Sequence, residues 1–254
     1  MHITHVEAIV LSMPTIDVTA ADSTQDALIV RVHTDTGIVG IGEVDASPTV
    51  VKAVIDAPAS HAISSGLAAL LIGEDPRDIE RLWDKMYEGS IFFGRRGVAV
   101  MAMSGIDIAL YDILGKSLGV PAYRLMGGAR RKVIPAYAST LMPDEPEEAE
   151  LHAREVAARG FRAIKFGWGP LGRSADHDVA LVDAVRRGAG DEVAIMLDVG
   201  FAWNHADHAI DMARRIERFR PTWIEEPLHP DDLDGYARLA KAVDTPIAAG
   251  EENV

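Results

Sequence analysis

The sequence predicts an α/β protein. An α+β domain over residues 1–127 is followed, over residues 128–254, by the N-terminal part of a (β/α) barrel that is truncated after its fifth strand. Three observations predict this. Between residues 194 and 254 an acid ends an apolar run three times: Ala194-Ile195-Met196-Leu197-Asp198, Thr222-Trp223-Ile224-Glu225-Glu226-Pro227 and Pro246-Ile247-Ala248-Ala249-Gly250-Glu251. Such short, nearly continuous apolar runs are expected of strands covered on both faces in a parallel sheet. The steps from Asp198 to Glu225 and from Glu225 to Glu251 are 27 and 26 residues, room for one strand, a helix and two loops. The start of the chain reads differently, as antiparallel strands followed by helices.

In order, residues 3–11, 26–33 and 38–43 are rich in β-branched and apolar side chains, with Asp35-Thr36-Gly37 as a hairpin turn signal. They read as a three-stranded meander. The polar linker 12–25 reads as a surface loop. Asp75 as N-cap and Pro76 at the first helical position open a helix with Ile79, Leu82, Trp83, Met86 and Tyr87 on one face. Residues 97–118 form a longer helix, apolar almost all round and therefore buried, stopped by Gly119.

After Ala129-Arg130-Arg131-Lys132 strand and helix alternate strictly. Strands are expected over 133–139 and 161–166, and helices over 146–159 and about 175–187, the second capped by Ser174. The three acid-tipped strands follow, separated by helices near 206–218 and 231–243. A complete eight-stranded barrel needs about 250 residues, about twice what lies here, so the sequence reads as a fragment of a longer protein. With an open parallel edge, the isolated polypeptide is expected to form a homo-oligomer or to be poorly soluble.

If consecutive strands lie side by side, Asp198, Glu225 and Glu251 project from neighbouring strand ends onto the C-terminal rim, where barrel enzymes keep their active sites. Single acids at strand ends commonly cap helices or face water. Three at matched spacing cannot all stay ionised at contact distance without a cation between them. Oxygen ligands with no Cys favour magnesium over zinc or copper.

Composition narrows the function. Lys and Arg total 25 against 39 Asp and Glu, and the formal charge of −14 argues against a nucleic-acid or anionic-membrane partner. The absence of Cys removes disulfides and thiolate chemistry and fits a reducing cytoplasm. No signal peptide is expected at the N-terminus, and no apolar run is expected to reach membrane-spanning length.

Several stretches carry a resemblance. They are Ser104-Gly105-Ile106-Asp107-Ile108-Ala109-Leu110-Tyr111-Asp112-Ile113-Leu114-Gly115-Lys116, Gly119-Val120-Pro121-Ala122-Tyr123-Arg124-Leu125-Met126-Gly127-Gly128, Ile134-Pro135-Ala136-Tyr137-Ala138-Ser139, Trp223-Ile224-Glu225-Glu226-Pro227 and Pro246-Ile247-Ala248-Ala249-Gly250-Glu251. Through them the chain resembles the mandelate racemase and muconate lactonizing enzyme group of the enolase superfamily. The resemblance implies a modified TIM barrel with residues 1–127 as a capping domain, whose loops near 13–25 and 44–49 cover the barrel mouth. It implies Mg²⁺ on Asp198, Glu225 and Glu251, with Glu226 either supporting those ligands or serving the structure alone. It further implies abstraction of the proton α to a carboxylate, giving an enediolate; enolase-superfamily sites are a standard illustration of this chemistry.

The sequence departs from the family pattern on the second strand. Where relatives carry Lys-x-Lys, this chain has Lys165-Phe166-Gly167, so the position of the usual base has no side chain. Lys165 remains, as base or as electrostatic clamp. The third-strand Asp-x-Asn has likewise become Asp198-Val199-Gly200. Ser139 is a candidate hydrogen-bond partner for a substrate carboxylate. His205 and His208 read as a hydrated helix face, and Arg95-Arg96 as a surface turn.

The leading expectation is dehydration of an acid sugar, because that reaction can use one base that then serves as acid. Racemisation or epimerisation ordinarily wants two bases on opposite faces and comes second, with cycloisomerisation third. A non-catalytic metal-binding scaffold is the alternative from another class; a His and Asp on later strands would speak against it.

Overall fold

A computed structural model describes residues 1–18 and 23–252. The chain divides into two compact units, with the boundary in sequence near residue 132. In the first, β1 (Ile3–Ser12), β2 (Asp26–Thr34) and β3 (Val39–Val44) form an antiparallel sheet in chain order. Of the linker before β2, residues 19–22 lie outside the described residues. At its base, Asp17 and the Gln25 side chain exchange two hydrogen bonds.

Helices α1 (Pro48–Asp56), α2 (Leu67–Leu71), α3 (Ile79–Gly89), α4 (Val98–Leu118) and α5 (Ala122–Leu125) complete this unit. Asp75 does not cap α3. Its carboxylate takes the guanidinium and backbone N–H of Arg77 in the turn before the helix, and Asp78 precedes the first helical residue. At 21 residues α4 is, contrary to expectation, long and apolar enough by length and composition to cross a membrane. Here its Met103, Ile106, Leu110 and Ile113 are buried in the core of its own unit. The sheet lies almost on the α4 backbone: a Cβ at Gly42 would fall 1.9 Å from the Gly105 carbonyl oxygen, so no larger residue fits there.

In the second unit strand and helix alternate: β4 (Ala138–Leu141), α6 (Pro146–Ala158), β5 (Ala163–Gly167), α7 (Ala175–Ala189), β6 (Ala194–Asp198), α8 (Ala206–Ile216), β7 (Pro221–Glu225), α9 (Leu233–Ala242) and β8 (Ile247–Ala248). The five strands are parallel and lie in chain order with no reversal. The architecture observed is thus a five-stranded parallel α/β sheet; a closed barrel is not seen among the described residues.

β4 starts five residues later than expected. Pro135 has no N–H to give a ladder, and Val133 and Ile134 are 78% and 81% exposed. Ser174 does cap α7, its hydroxyl accepting from the His177 N–H. One face of the sheet, with Ile164, Phe166, Ile195, Leu197 and Ile224 all fully buried, packs in a single core with α6, α7, α8 and α9. The alternate residues, Lys165, Met196, Asp198, Trp223 and Glu225, therefore share the other face.

Candidate metal centre

The strand ends are level. Gly167 stands opposite Asp198, Asp198 opposite Glu225, and Glu225 opposite Ala248. Two carboxylates directly opposed on neighbouring strands repel unless something neutralises them. Lys165, two residues before Gly167 and on the same face, does so in part. Its Nζ donates to Asp198 Oδ2 at 3.0 Å and to Glu225 Oε1 at 2.7 Å. The second oxygen of Glu225 accepts from the Trp223 indole N–H at 2.8 Å. Glu251, beyond the end of β8, completes the group: one carboxylate oxygen from each of Asp198, Glu225 and Glu251 lies within 4.8 Å of the others.

Charge at this rim is under-compensated, with one ammonium facing three carboxylates. Burial, acting against hydrogen bonding to Lys165, holds Asp198 above the usual carboxylate range. Burial and the charge of Asp198 do the same to Glu251. Burial works against the charge on Lys165, but its hydrogen bonds to Glu225 and Asp198 more than offset this and keep it protonated well above its ordinary range. Asp198 Oδ1 is buried without a hydrogen-bond partner among the described residues. An orphaned buried anionic oxygen within a cluster of hard oxygen donors is what a divalent cation would satisfy, and the residues fit magnesium.

The backbone around the rim is strained in one place after another. Trp168, Phe201 and Glu226, each one to three residues beyond a strand end, have φ of 57°, 65° and 44°. Non-glycine residues there cost on the order of 1–3 kcal/mol each and persist only where neighbours hold them. Here the Trp168 N–H bonds the Asp198 carbonyl and the Phe201 N–H the Glu226 carbonyl. The Trp168 and Phe201 rings meet edge to face at 5.6 Å.

Ser139 lies in β4 directly opposite Lys165, so the two share a face of the sheet. His205 and His208 are exposed and take no part in the acidic group. Sequence reasoning missed a buried carboxylate behind the loops. Asp178 accepts from the Gly172 N–H and from the Trp203 indole N–H, both at 2.9–3.0 Å, joining the loop after β5 to the loop after β6. An acid in a first helical turn is too common to have flagged it.

Residues 3–127 match the mandelate racemase / muconate lactonizing enzyme N-terminal domain family, and residues 148–254 match the enolase C-terminal domain-like family. The chain belongs to the mandelate racemase / muconate lactonizing enzyme group of the enolase superfamily. It is 36% identical over 234 residues to an arabinonate dehydratase of Saccharolobus solfataricus, covering 91% of this chain and 60% of that protein. It is 33% identical over 228 residues to a D-galactarolactone cycloisomerase of Agrobacterium fabrum, covering 88% and 57%. The crystal structure of a racemase from Streptomyces coelicolor with bound magnesium superposes with a TM-score of 0.85 at 32% identity, covering 98% of this chain and 69% of that one. The chain thus spans about 60% of the length of the curated relatives it matches.

Proposed function

We propose that this chain carries the metal centre of a magnesium-dependent acid-sugar dehydratase that removes the proton α to a carboxylate. The observation that carries the reading is the convergence of Asp198, Glu225 and Glu251 at three consecutive strand ends, with Lys165 between the first two. These three acids are the ligands. When bound, the cation supplies positive charge against the negative charge that a carboxylate gains on losing its α-proton. Residues 128–254 contribute the first five strands of a (β/α) barrel and residues 1–127 its capping domain, a reading supported by the chain-order sheet and by family membership. The whole protein acts in the cytoplasm, as a homo-oligomer, on a small carboxylate.

Lys165 serves as a fixed cation rather than the sole base, because its two carboxylate partners favour the ammonium form. Ser139, across from it, hydrogen-bonds the substrate carboxylate. With no side chain at Gly167, the position of the usual second-strand base is empty, which favours dehydration by a single base over racemisation. Epimerase or cycloisomerase activity is the second reading, supported by the likeness to the cycloisomerase and racemase.

The test is the full-length gene product assayed with magnesium against a set of aldonates and aldarates. Loss of water to give a 2-keto-3-deoxy acid is expected. Interconversion of substrates without loss of water supports the second reading, and no turnover of any acid sugar rejects both. Lys165→Met is expected to slow dehydration while leaving exchange of the substrate α-proton with deuterated solvent detectable. Complete loss of exchange with metal and substrate still bound would make Lys165 the base.

A further inference from the structure

Glu251 lies three residues past the end of β8, a strand of only two residues, so the sheet ladder does not fix it. Glu226 does. This acid follows Glu225 directly, yet it is 1% exposed and points away from the carboxylate group. Its Oε1 accepts from two successive backbone N–H groups, Gly250 at 2.6 Å and Glu251 at 3.1 Å. Its Oε2 lies 2.9 Å from the Tyr236 hydroxyl on α9, whose single proton is shared between this carboxylate and the Leu228 carbonyl at 2.7 Å. The Glu226 main chain donates to the Ala248 carbonyl and accepts from the Phe201 N–H. One residue thereby ties together the loop after β6, the end of β8 and α9.

Burying a carboxylate is costly unless donors surround it, and charge-assisted bonds from amides and a hydroxyl are the strong kind. Left-handed backbone at Glu226 turns its side chain to where these donors converge. We propose that Glu226 is a positioning residue for Glu251: its carboxylate fixes the turn at Gly250 and Glu251 so that Glu251 faces Asp198 and Glu225, and Tyr236 holds Glu226 in place. This rests on the reading of those three acids as cation ligands.

The experiment measures two things on the chain with Glu226→Gln, Tyr236→Phe and Glu251→Gln: amide hydrogen exchange at Gly250 and Glu251 without metal, and Mn²⁺ affinity from the electron paramagnetic resonance of the free ion. Glu226→Gln is expected to speed exchange at both amides and to weaken Mn²⁺ binding by about 10- to 100-fold, the usual effect of losing a group that orients a ligand. Tyr236→Phe is expected to act in the same direction by a smaller factor. A purely structural role would lower the Tm of Glu226→Gln while leaving the affinity of the folded protein unchanged, and that result overturns the inference. Should Glu226→Gln fail to fold, Tyr236→Phe decides, and unchanged exchange and affinity overturn it. If Glu251→Gln does not weaken Mn²⁺ binding, the ligand assignment itself falls and the inference with it.

Discussion

A Cβ at position 167 would lie 2.4 Å from the Asp198 Cβ and 2.9 Å from its carbonyl oxygen. Gly167→Ala is therefore expected to destabilise the chain by about 1–3 kcal/mol through overpacking, read from urea denaturation, and to disturb Asp198 more than a substitution elsewhere on β5. A lysine restored at this position fits only if the end of β6 moves. The carboxylates also predict a pH dependence. Asp198 and Glu251 are held above the usual range, so the folded chain keeps their protons to higher pH than the unfolded chain. Their contribution to stability is complete below ordinary carboxylate pKa values and is lost as the pH rises through the raised ones. In chelator, the melting temperature of wild type relative to Asp198→Asn is expected to fall across that window. Magnesium is expected to remove the fall, and a difference that stays flat with pH would contradict the assignment. The three acids were legible in the sequence because each ends an apolar run at a repeat of one strand and one helix. Tyr236 and Asp178 were not, because a tyrosine and an acid inside amphipathic helices look like any others until the fold brings their partners from 10 and 25 residues away.

At the scale of elements, the loops after β5 and β6 are joined by the bond of Trp203 to Asp178, both side chains buried. Trp203→Phe would leave that carboxylate short of a donor in the core. It is expected to cost about 1–3 kcal/mol, measured by denaturant unfolding, with Asp178→Asn losing less because amide oxygen still accepts. Helices were read from sequence to within a few residues wherever a cap and an apolar stripe agreed, as in α7 with Ser174 and in α4 up to Gly119. The errors have local causes. Pro135 delays β4, and Arg77 engages the acid that looked like the cap of α3. A proline and a side-chain competitor each override a pattern that composition alone supports.

For the molecule as a whole, the parallel sheet ends in β4 and β8, each paired on one side among the described residues. Exposed strand edges invite pairing with other chains. The 254-residue chain is expected to self-associate, and light scattering coupled to size-exclusion chromatography that finds a monodisperse monomer would rule this out. The sheet has a second consequence, in time rather than in space. Because spatial order follows chain order, every strand docks on a neighbour already made, and no strand waits for a partner synthesised much later. Short sequence separations between contacting residues keep loop-closure entropy low and speed folding. A nascent chain can thus lay down β4, β5 and β6 while β8 is still being made, and the rim that gathers Asp198, Glu225 and Glu251 is assembled last, one acid at a time, as translation delivers it.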